Sequence, residues 1–257
     1  MSSPVSSPKM LLVDGHSLAF RSYFAYAKGR DGGLRTSTGI PTSVCYGFLK
    51  SLLDTLEAER PEYVAIAFDV SDPTFRHEAD DTYKAGRPET PEDFIPDLEN
   101  LQELLAALNL PVLTAPGYEA DDVIGTLTRR ANAEGLRVKV LSGDRDLFQL
   151  IDPKQNITVL YLSTTYGKGT PPPKEFGLEQ VKDKMGILPS QVVDYKALCG
   201  DTSDNIPGVK GIGDKTAVQL LKQYGSLEQI YALSVHGADS PRCACGCESG
   251  GMQTHRI

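Results

Sequence analysis

Nine carboxylates in this 257-residue chain have types and spacings that could do chemistry. Three of them, Glu119, Asp121 and Asp122, crowd into the stretch GYEADDVIG, Gly117 to Gly125. Acids suit the first turn of a helix because they oppose the positive end of its dipole, which accounts for one or two. Three together repel one another unless a cation lies between them. Asp14, Asp69 and Asp144 each follow a short apolar run, Asp146 comes two residues later in SGDRD, and Asp201 and Asp204 stand three apart in GDTSDN. A lone strand-end aspartate is commonly a helix cap or turn residue; three beside an acid-rich helix start are not explained that way. With no His or Cys interleaved, an all-oxygen set suits Mg²⁺ or Mn²⁺ rather than zinc. Nine acids exceed what one Mg²⁺ takes, since it keeps several waters, but they suit two ions with some acids in an outer layer. Two ions about 4 Å apart are a device for in-line displacement at phosphorus, one generating hydroxide and the other stabilising the leaving oxygen.

The elements that would position these acids follow from the hydrophobic pattern. Met10 to Val13, Tyr63 to Phe68, Pro111 to Thr114, Val138 to Leu141 and Ile157 to Leu162 read as short strands. A helix opened by Pro41 carries Val44, Phe48, Leu52 and Leu56 on one face and stops before Pro61; a second carries Leu101, Leu104, Leu105 and Leu108. A third, entered through Gly117, carries Ala120, Val123, Ile124, Leu127 and Ala131, with Glu119 and Asp122 sharing a helical face. Strands separated by helices predict an α/β fold, a mostly parallel central sheet flanked by helices with right-handed crossovers. In such sheets the site lies beyond the carboxyl ends of the strands, where Asp14, Asp69 and Asp144 fall.

The formal net charge of −8 argues at first against a nucleic-acid partner. Setting the nine acids aside leaves 25 acidic against 26 basic residues, near +1, so the acidity is concentrated in the site and a polyanionic substrate is allowed. At 40% hydrophobic the chain can bury the core of one large domain, or of a domain with an appendage. No apolar run reaches the length of a membrane span, and MSSPVSSPKM lacks the apolar core of a signal peptide, so a soluble, cytoplasmic protein with no membrane partner is expected. Five cysteines, three of them in CACGC, give no disulfide framework.

Two further stretches bear on the polyanion. NIPGVKGIGDKTAVQLL sets Gly208, Gly211 and Gly213 just before a helix with Ala217, Leu220 and Leu221 on its apolar face. Such glycines let a backbone pass close to a phosphate, and Lys210 and Lys215 beside them favour a sugar-phosphate backbone. Gly208-x4-Gly213 begins like a Walker loop, but the next residue is Asp214 rather than Lys. The charged, poorly periodic stretch Phe75 to Phe94 is long for a connection; Arg76, Lys84 and Arg87 offer phosphate contacts and Tyr83 a stacking surface, while a solvated charged loop is the plain alternative.

VDGHSLAFR, FD followed by TFRHE and YKAGR, GYEADD, SGDRD, GDTSDNIPG and VKGIGDKTA, in that order, resemble the bacterial 5′–3′ exonuclease and flap endonuclease family, which includes the N-terminal nuclease domain of DNA polymerase I. The resemblance runs from about Met10 to about Leu233. It implies a PIN-like, resolvase-like nuclease core over residues 10–170, with a helical arch over 72–95 that admits a single strand, and a helix-hairpin-helix over 171–233 that holds duplex. It implies hydrolysis of DNA at 5′ ends, nicks and 5′ flaps in replication and repair, by a monomer that works beside a polymerase and a ligase. By motif, all nine acids match metal-site positions. Asp144 is taken to touch a catalytic metal, Lys84 and Arg87 match arch residues near the scissile phosphate, and Tyr83 is expected to stack on an unpaired base. Two other readings stay open: a PIN-like ribonuclease, and a catalytically weak fragment that binds branched DNA.

Residues 1–9 are expected to be disordered. After SLEQIYAL the chain departs from the family, and residues 234–257 read as a truncated or altered end or an unrelated extension, so no polymerase activity is expected of it. Cys243, Cys245 and Cys247 alternate near His236 and His255, but structural zinc prefers C-x2-4-C pairs, so this tail is expected to be disordered and to contribute nothing to fold or chemistry.

Overall fold

The structure, a computed structural model, describes residues 7–27, 33–70, 72–163 and 171–236. Of the stretches expected to be disordered, residues 1–6 and 237–257 lie outside the described residues, whereas Lys9 opens the first strand and residues 234–236 end the last helix, because the strand and helix run on into them.

Six strands form one sheet: β1 (Lys9–Asp14), β2 (Tyr63–Ala67), β3 (Val112–Leu113), β4 (Arg137–Ser142), β5 (Ile157–Tyr161) and β6 (Lys174–Phe176). Their order is β3-β2-β1-β4-β5-β6, and every pairing is parallel except that of β5 with the edge strand β6. The chain builds outward from β1 to β3 on one side and then restarts at β4 on the other. The order therefore reverses between β1 and β4, and in open α/β sheets a crevice forms beyond the strand ends at such a reversal.

Alternation along β1 divides the core into two layers. Leu11 and Val13 face α1 (Gly15–Tyr26), α2 (Ser43–Glu59) and α4 (Phe94–Ala107), in a cluster with Phe48, Phe68, Phe94 and Leu101. Leu12 faces the opposite layer, with Ile124 of α5 (Ala120–Ala133) and with Phe148, Val181 and Leu198 from further along the chain. The short α3 (Phe75–Ala79) precedes α4.

Beyond β6 come α6 (Leu178–Met185), α7 (Val192–Cys199), the two-residue strands β7 (Gly200–Asp201) and β8 (Ile206–Pro207), α8 (Asp214–Tyr224) and α9 (Leu227–His236). This is the anticipated helix-hairpin-helix. Ala217 and Leu221 of α8 belong to the same buried cluster as Leu12, so the hairpin region shares the core of the sheet.

Three local readings need correction. Helix α1 was not anticipated, because apart from Leu18 its buried face is made of small residues, Gly15, Ala19, Ser22 and Ala25. A Cβ on Gly47 of α2 would come within 2.7 Å of Ser22 Cβ, so the two helices touch nearly backbone to backbone. Pro41 does not open α2; it pairs in an isolated bridge with Arg35, and α2 starts at Ser43. The amides of Val44 and Cys45 donate to the fully buried Asp97 of α4 at 2.6 and 3.1 Å, a cap supplied from another helix. Glu119 does not share a helical face with Asp122. It is the extended N-cap of α5, and its own N–H donates back to Asp122 Oδ2 at 3.0 Å.

The stretch expected to form a helical arch is only one short helix, α3, followed by turns over residues 81–86 and an irregular run with a turn at residues 92–93 into α4. Lys84 takes a left-handed backbone, φ 60°, and Gly86 follows at φ 86°.

Candidate active site

The reversal between β1 and β4 is spanned by a hydrogen-bonded frame of small residues. Asp14, at the end of β1, caps α1 by accepting from Ser17 N at 3.0 Å, and its other oxygen accepts from Ser142 Oγ at 2.6 Å. Ser142 ends β4 and its Oγ also accepts from Asp144 N at 2.9 Å, while Ser17 Oγ accepts from Gly143 N at 2.9 Å. Two glycines permit this closeness. A Cβ on Gly15 would meet the Phe68 ring at 2.6 Å, and one on Gly143 would collide with the Arg21 guanidinium, which lies over it and donates to Gly143 O at 2.6 Å.

Around this frame lies a cleft of about 790 Å³ whose walls include Asp14, Asp69, Glu119, Asp121, Asp144, Asp146 and Asp204, together with Lys84 and Arg87. Seven of the nine expected acids thus meet in one place, from β1, the ends of β2 and β4, the start of α5 and the hairpin loop. Asp122 and Asp201 line the adjoining cleft, which shares Glu119, Asp121, Asp146 and Asp204 with the first. Asp69 accepts from Ala120 N at 2.7 Å, which ties the end of β2 to the start of α5.

Electrostatics separates the acids into two groups. Burial raises the Asp14 carboxyl to about 6 despite its two hydrogen bonds, with Asp144 and Asp69 adding to the shift. Asp121 is raised well above the ordinary carboxylate range, first by burial and then by Asp14, Asp144, Asp69 and Asp146. Asp146 is raised by burial and by Asp144, against the pull of Lys196. The second group is held by cations. Arg76 grips both oxygens of Asp122 at 2.7 and 2.9 Å and pulls its carboxyl down. Lys84 Nζ lies 2.7 Å from Glu119 Oε1, Arg87 pairs with Asp204, and Lys196 reaches Asp201 at 2.5 Å. Lys196 Nζ is also 2.8 Å from the buried Asp146 Oδ1, an ion pair outside hydrogen-bond geometry. In this arrangement no group of three or more His, Cys, Asp or Glu among the described residues is set to hold a metal ion. Five of the nine carboxylates, Asp122, Glu119, Asp204, Asp201 and Asp146, are already paired with these cations.

The expected nucleic-acid contacts are also placed. Lys84 and Arg87 face the acidic cleft. Arg76 is committed to Asp122, and its guanidinium lies over the Phe75 ring at 4.5 Å. Tyr83 does not offer a stacking surface here. It is only 8% exposed, its ring packs edge-on against His77, and its hydroxyl lies 3.3 Å from both Glu119 and Asp204. Lys210 and Lys215 are exposed beside the hairpin. Gly211, at φ 87°, and Gly213 have open space where a Cβ would be, but Gly208 does not. A Cβ on Gly208 would run into the backbone of Cys199 and Gly200, so this glycine closes the β7–β8 turn and is not left open to a phosphate.

Sequence reasoning gave no part to Arg21, His16 or Lys196, all of which face these acids. Arg21 stands seven residues after Asp14, two helical turns, a spacing that could have placed it beside the first aspartate. His16 Nδ1 accepts from Asp69 N at 3.1 Å, and burial lowers its pKa against the pull of Asp69. Lys196 had no signal, because only the fold brings it to Asp146.

Comparison with known proteins places this geometry. The sequence profile of the 5′-3′ exonuclease N-terminal resolvase-like domain matches residues 9–186, and that of the 5′-3′ exonuclease C-terminal SAM fold matches residues 187–241. DNA polymerase I of Synechocystis is 57% identical over 225 residues, which is 88% of this chain and 23% of that protein. A thermostable DNA polymerase I of Thermus thermophilus is 47% identical over 229 residues, 88% of this chain and 26% of that protein. The chain thus spans about a quarter of the length of these relatives. Among solved structures, the T5 5′-exonuclease with bound zinc superposes with a TM-score of 0.70 at 22% identity, over 87% of this chain and 78% of that one. The catalytic core of Rad2 in complex with DNA superposes at 0.52 and 19%, over 90% and 66%, so both share the fold. With the N-terminal domain profile covering most of the chain and the acidic cleft at the sheet's switch point, this protein is a nuclease of the 5′–3′ exonuclease family.

Proposed function

We propose that the acidic cleft hydrolyses phosphodiester bonds of DNA at 5′ ends, nicks and 5′ flaps, with two Mg²⁺ or Mn²⁺ ions held by its carboxylates. The observation that carries this reading is Asp121. Burial pushes its carboxyl up first, and Asp14, Asp144, Asp69 and Asp146, which line the same cleft, add a repulsion that a cation between them would relieve. The donors are all hard oxygens, which fits these ions. Asp14, Asp69, Asp121, Asp144 and Asp146 are the nearest candidates to hold them, with Glu119 and Asp204 joining once Lys84 and Arg87 turn to phosphate. When bound, such ions supply Lewis acidity at the phosphate and an activated water.

The chain's own residues do the rest. Ser142, Ser17 and Arg21 keep Asp14 and Asp144 in register across the strand reversal. Lys84 and Arg87 are the cations poised to take the charge of the reacting phosphate, since the partners they now hold are carboxylates at the cleft. Lys210 and Lys215, exposed beside the hairpin, would hold the sugar-phosphate backbone of the duplex. Polymerase and ligase, acting before and after on the same strand, are the functional partners of this reading.

The test is a labelled 5′-flap duplex incubated with the protein in Mg²⁺, in Mn²⁺ and in EDTA, beside a matched single-stranded RNA. Cleavage of the flap that needs either ion is the expected result. Binding without cleavage would instead indicate a branched-DNA-binding module, and preference for the RNA would indicate a ribonuclease.

A further inference from the structure

The stretch GDTSDN ends in Asn205, which has no part in the site as described so far. Its backbone is left-handed, φ 57°, a conformation that Asn tolerates better than most residues. Its exposed side chain reaches back 123 positions, and Nδ2 donates to Thr82 O at 3.0 Å. Two more bonds join the same two segments: Lys84 N donates to Asp204 O at 2.9 Å, and Arg87 Nε donates to Ser203 O at 3.2 Å. All three end on main-chain carbonyls. The ion pairs of Lys84 with Glu119 and of Arg87 with Asp204 must break when either side engages phosphate or a cation. The carbonyl bonds need not break, so they can hold the segment while its charged ends change partners. Lys84 itself sits in a left-handed conformation, which persists only where its surroundings over-determine it.

We propose that Asn205 is a positioning residue. By clasping Thr82 O it docks the tip at residues 82–87 onto the loop of the second family domain, and so sets Lys84 over the acidic cleft. The part of this inference that concerns rate rests on the function proposed above for Lys84; the docking does not.

Two variants test it. Asn205→Gly keeps the left-handed backbone and deletes the donor, and Asn205→Asp keeps the shape but turns an oxygen toward Thr82 O. Trypsin can cut after Lys84, whereas Arg87 is shielded by Pro88. Without DNA, nicking after Lys84 should be about fivefold faster in either variant, the net worth of one such bond, with the melting temperature nearly unchanged. Single-turnover cleavage of a 5′ flap should fall by about fivefold to tenfold. In a Lys84→Ala background the same substitutions should cost little more, because the group they position is gone. Unchanged nicking in both variants would overturn the docking. An equal further loss with and without Lys84 would overturn the positioning role. If Lys84→Ala alone cleaves at the normal rate, the proposed function of Lys84 fails while the nicking result still judges the clasp.

Discussion

Asp14 and Asp121 are costly to the metal-free protein and, in the proposed function, useful to the reaction for the same reason. A carboxyl raised in the folded state binds more protons than in the unfolded chain. Its stabilising contribution is therefore full below the unfolded value near 3.8 and is lost as pH rises through the folded value, about 6 for Asp14. Asp121, raised by burial and by its four neighbours, should behave the same way from pH 3.8 upward. Asp121→Asn in EDTA at pH 7.5 should raise the melting temperature by about 2–4 °C, the shift that about 1 kcal/mol gives at this size. The gain should vanish as pH approaches 4, where the aspartate is neutral too; a pH-independent gain would count against charge repulsion as its cause. Cleavage should fall sharply in the same variant. Asp144→Asn keeps the hydrogen-bonded shape of the strand end and removes one charge from the cluster. Cleavage should drop by orders of magnitude while flap binding survives or tightens, and near-normal cleavage in Mg²⁺ would remove Asp144 from the metal set.

At the scale of elements, the hairpin between α7 and α8 divides its glycines between two tasks. Gly200, at φ 78°, and Gly208 lie against each other and set the turn, while Gly211 and Gly213 leave open backbone before α8. The buried Gln191 fixes the far end of α8 by donating to the carbonyls of Leu221 and Gly225 at 3.1 and 2.8 Å. The exposed face near Lys215 is therefore held at both ends. Lys215→Ala should weaken duplex binding and lower the slope of log affinity against log salt by about one, with the single-turnover rate at saturation unchanged. Fluorescence anisotropy of a labelled duplex across a salt series would show it, and an unchanged slope would mean that this lysine does not touch a phosphate.

For the whole molecule, the charge is partitioned. Setting the nine acids aside leaves the rest of the chain near neutral, so the net −8 is gathered at the cleft and its margin. The two family domains meet there and share one core, because Ala217 and Leu221 pack in the cluster that contains Leu12 and Val140 of the sheet. Anything that binds the cleft should therefore stabilise the fold as a unit. Mg²⁺ at about a hundred times its dissociation constant should add about 2.7 kcal/mol per site, seen as a single unfolding transition moved to higher temperature. Two separate transitions, only one of them responding to Mg²⁺, would show that the hairpin region does not share the stability of the sheet. Among the described residues no helix is long and apolar enough to cross a membrane.

The sequence by itself determined the parts that depend on local pattern. Short β-branched runs ending in aspartate placed β1, β2 and β4, and the alternation of strands with helices made the sheet parallel, since parallel neighbours need a crossover. It also pointed to a divalent-metal site, because the acids recur in short clusters, although it did not show that His16 joins them beside Asp69. Tertiary structure decided which acids are free. Asp122 and Asp201 look like their neighbours in the chain, yet Arg76, 46 residues away, and Lys196, on the preceding helix, take up their charge. Tyr83 was turned from a surface into a buried contact, and Gly208 from a phosphate contact into a packing contact, because a pattern within one segment cannot show what lies against it. Helix α1 was missed for a related reason: its buried stripe, Leu18, Ala19, Ser22 and Ala25, is mostly small residues, and Ser22 is buried by its closeness to Gly47, 25 residues later. The clasp of Asn205 on Thr82 joins segments 123 residues apart, and no local spacing could have announced it.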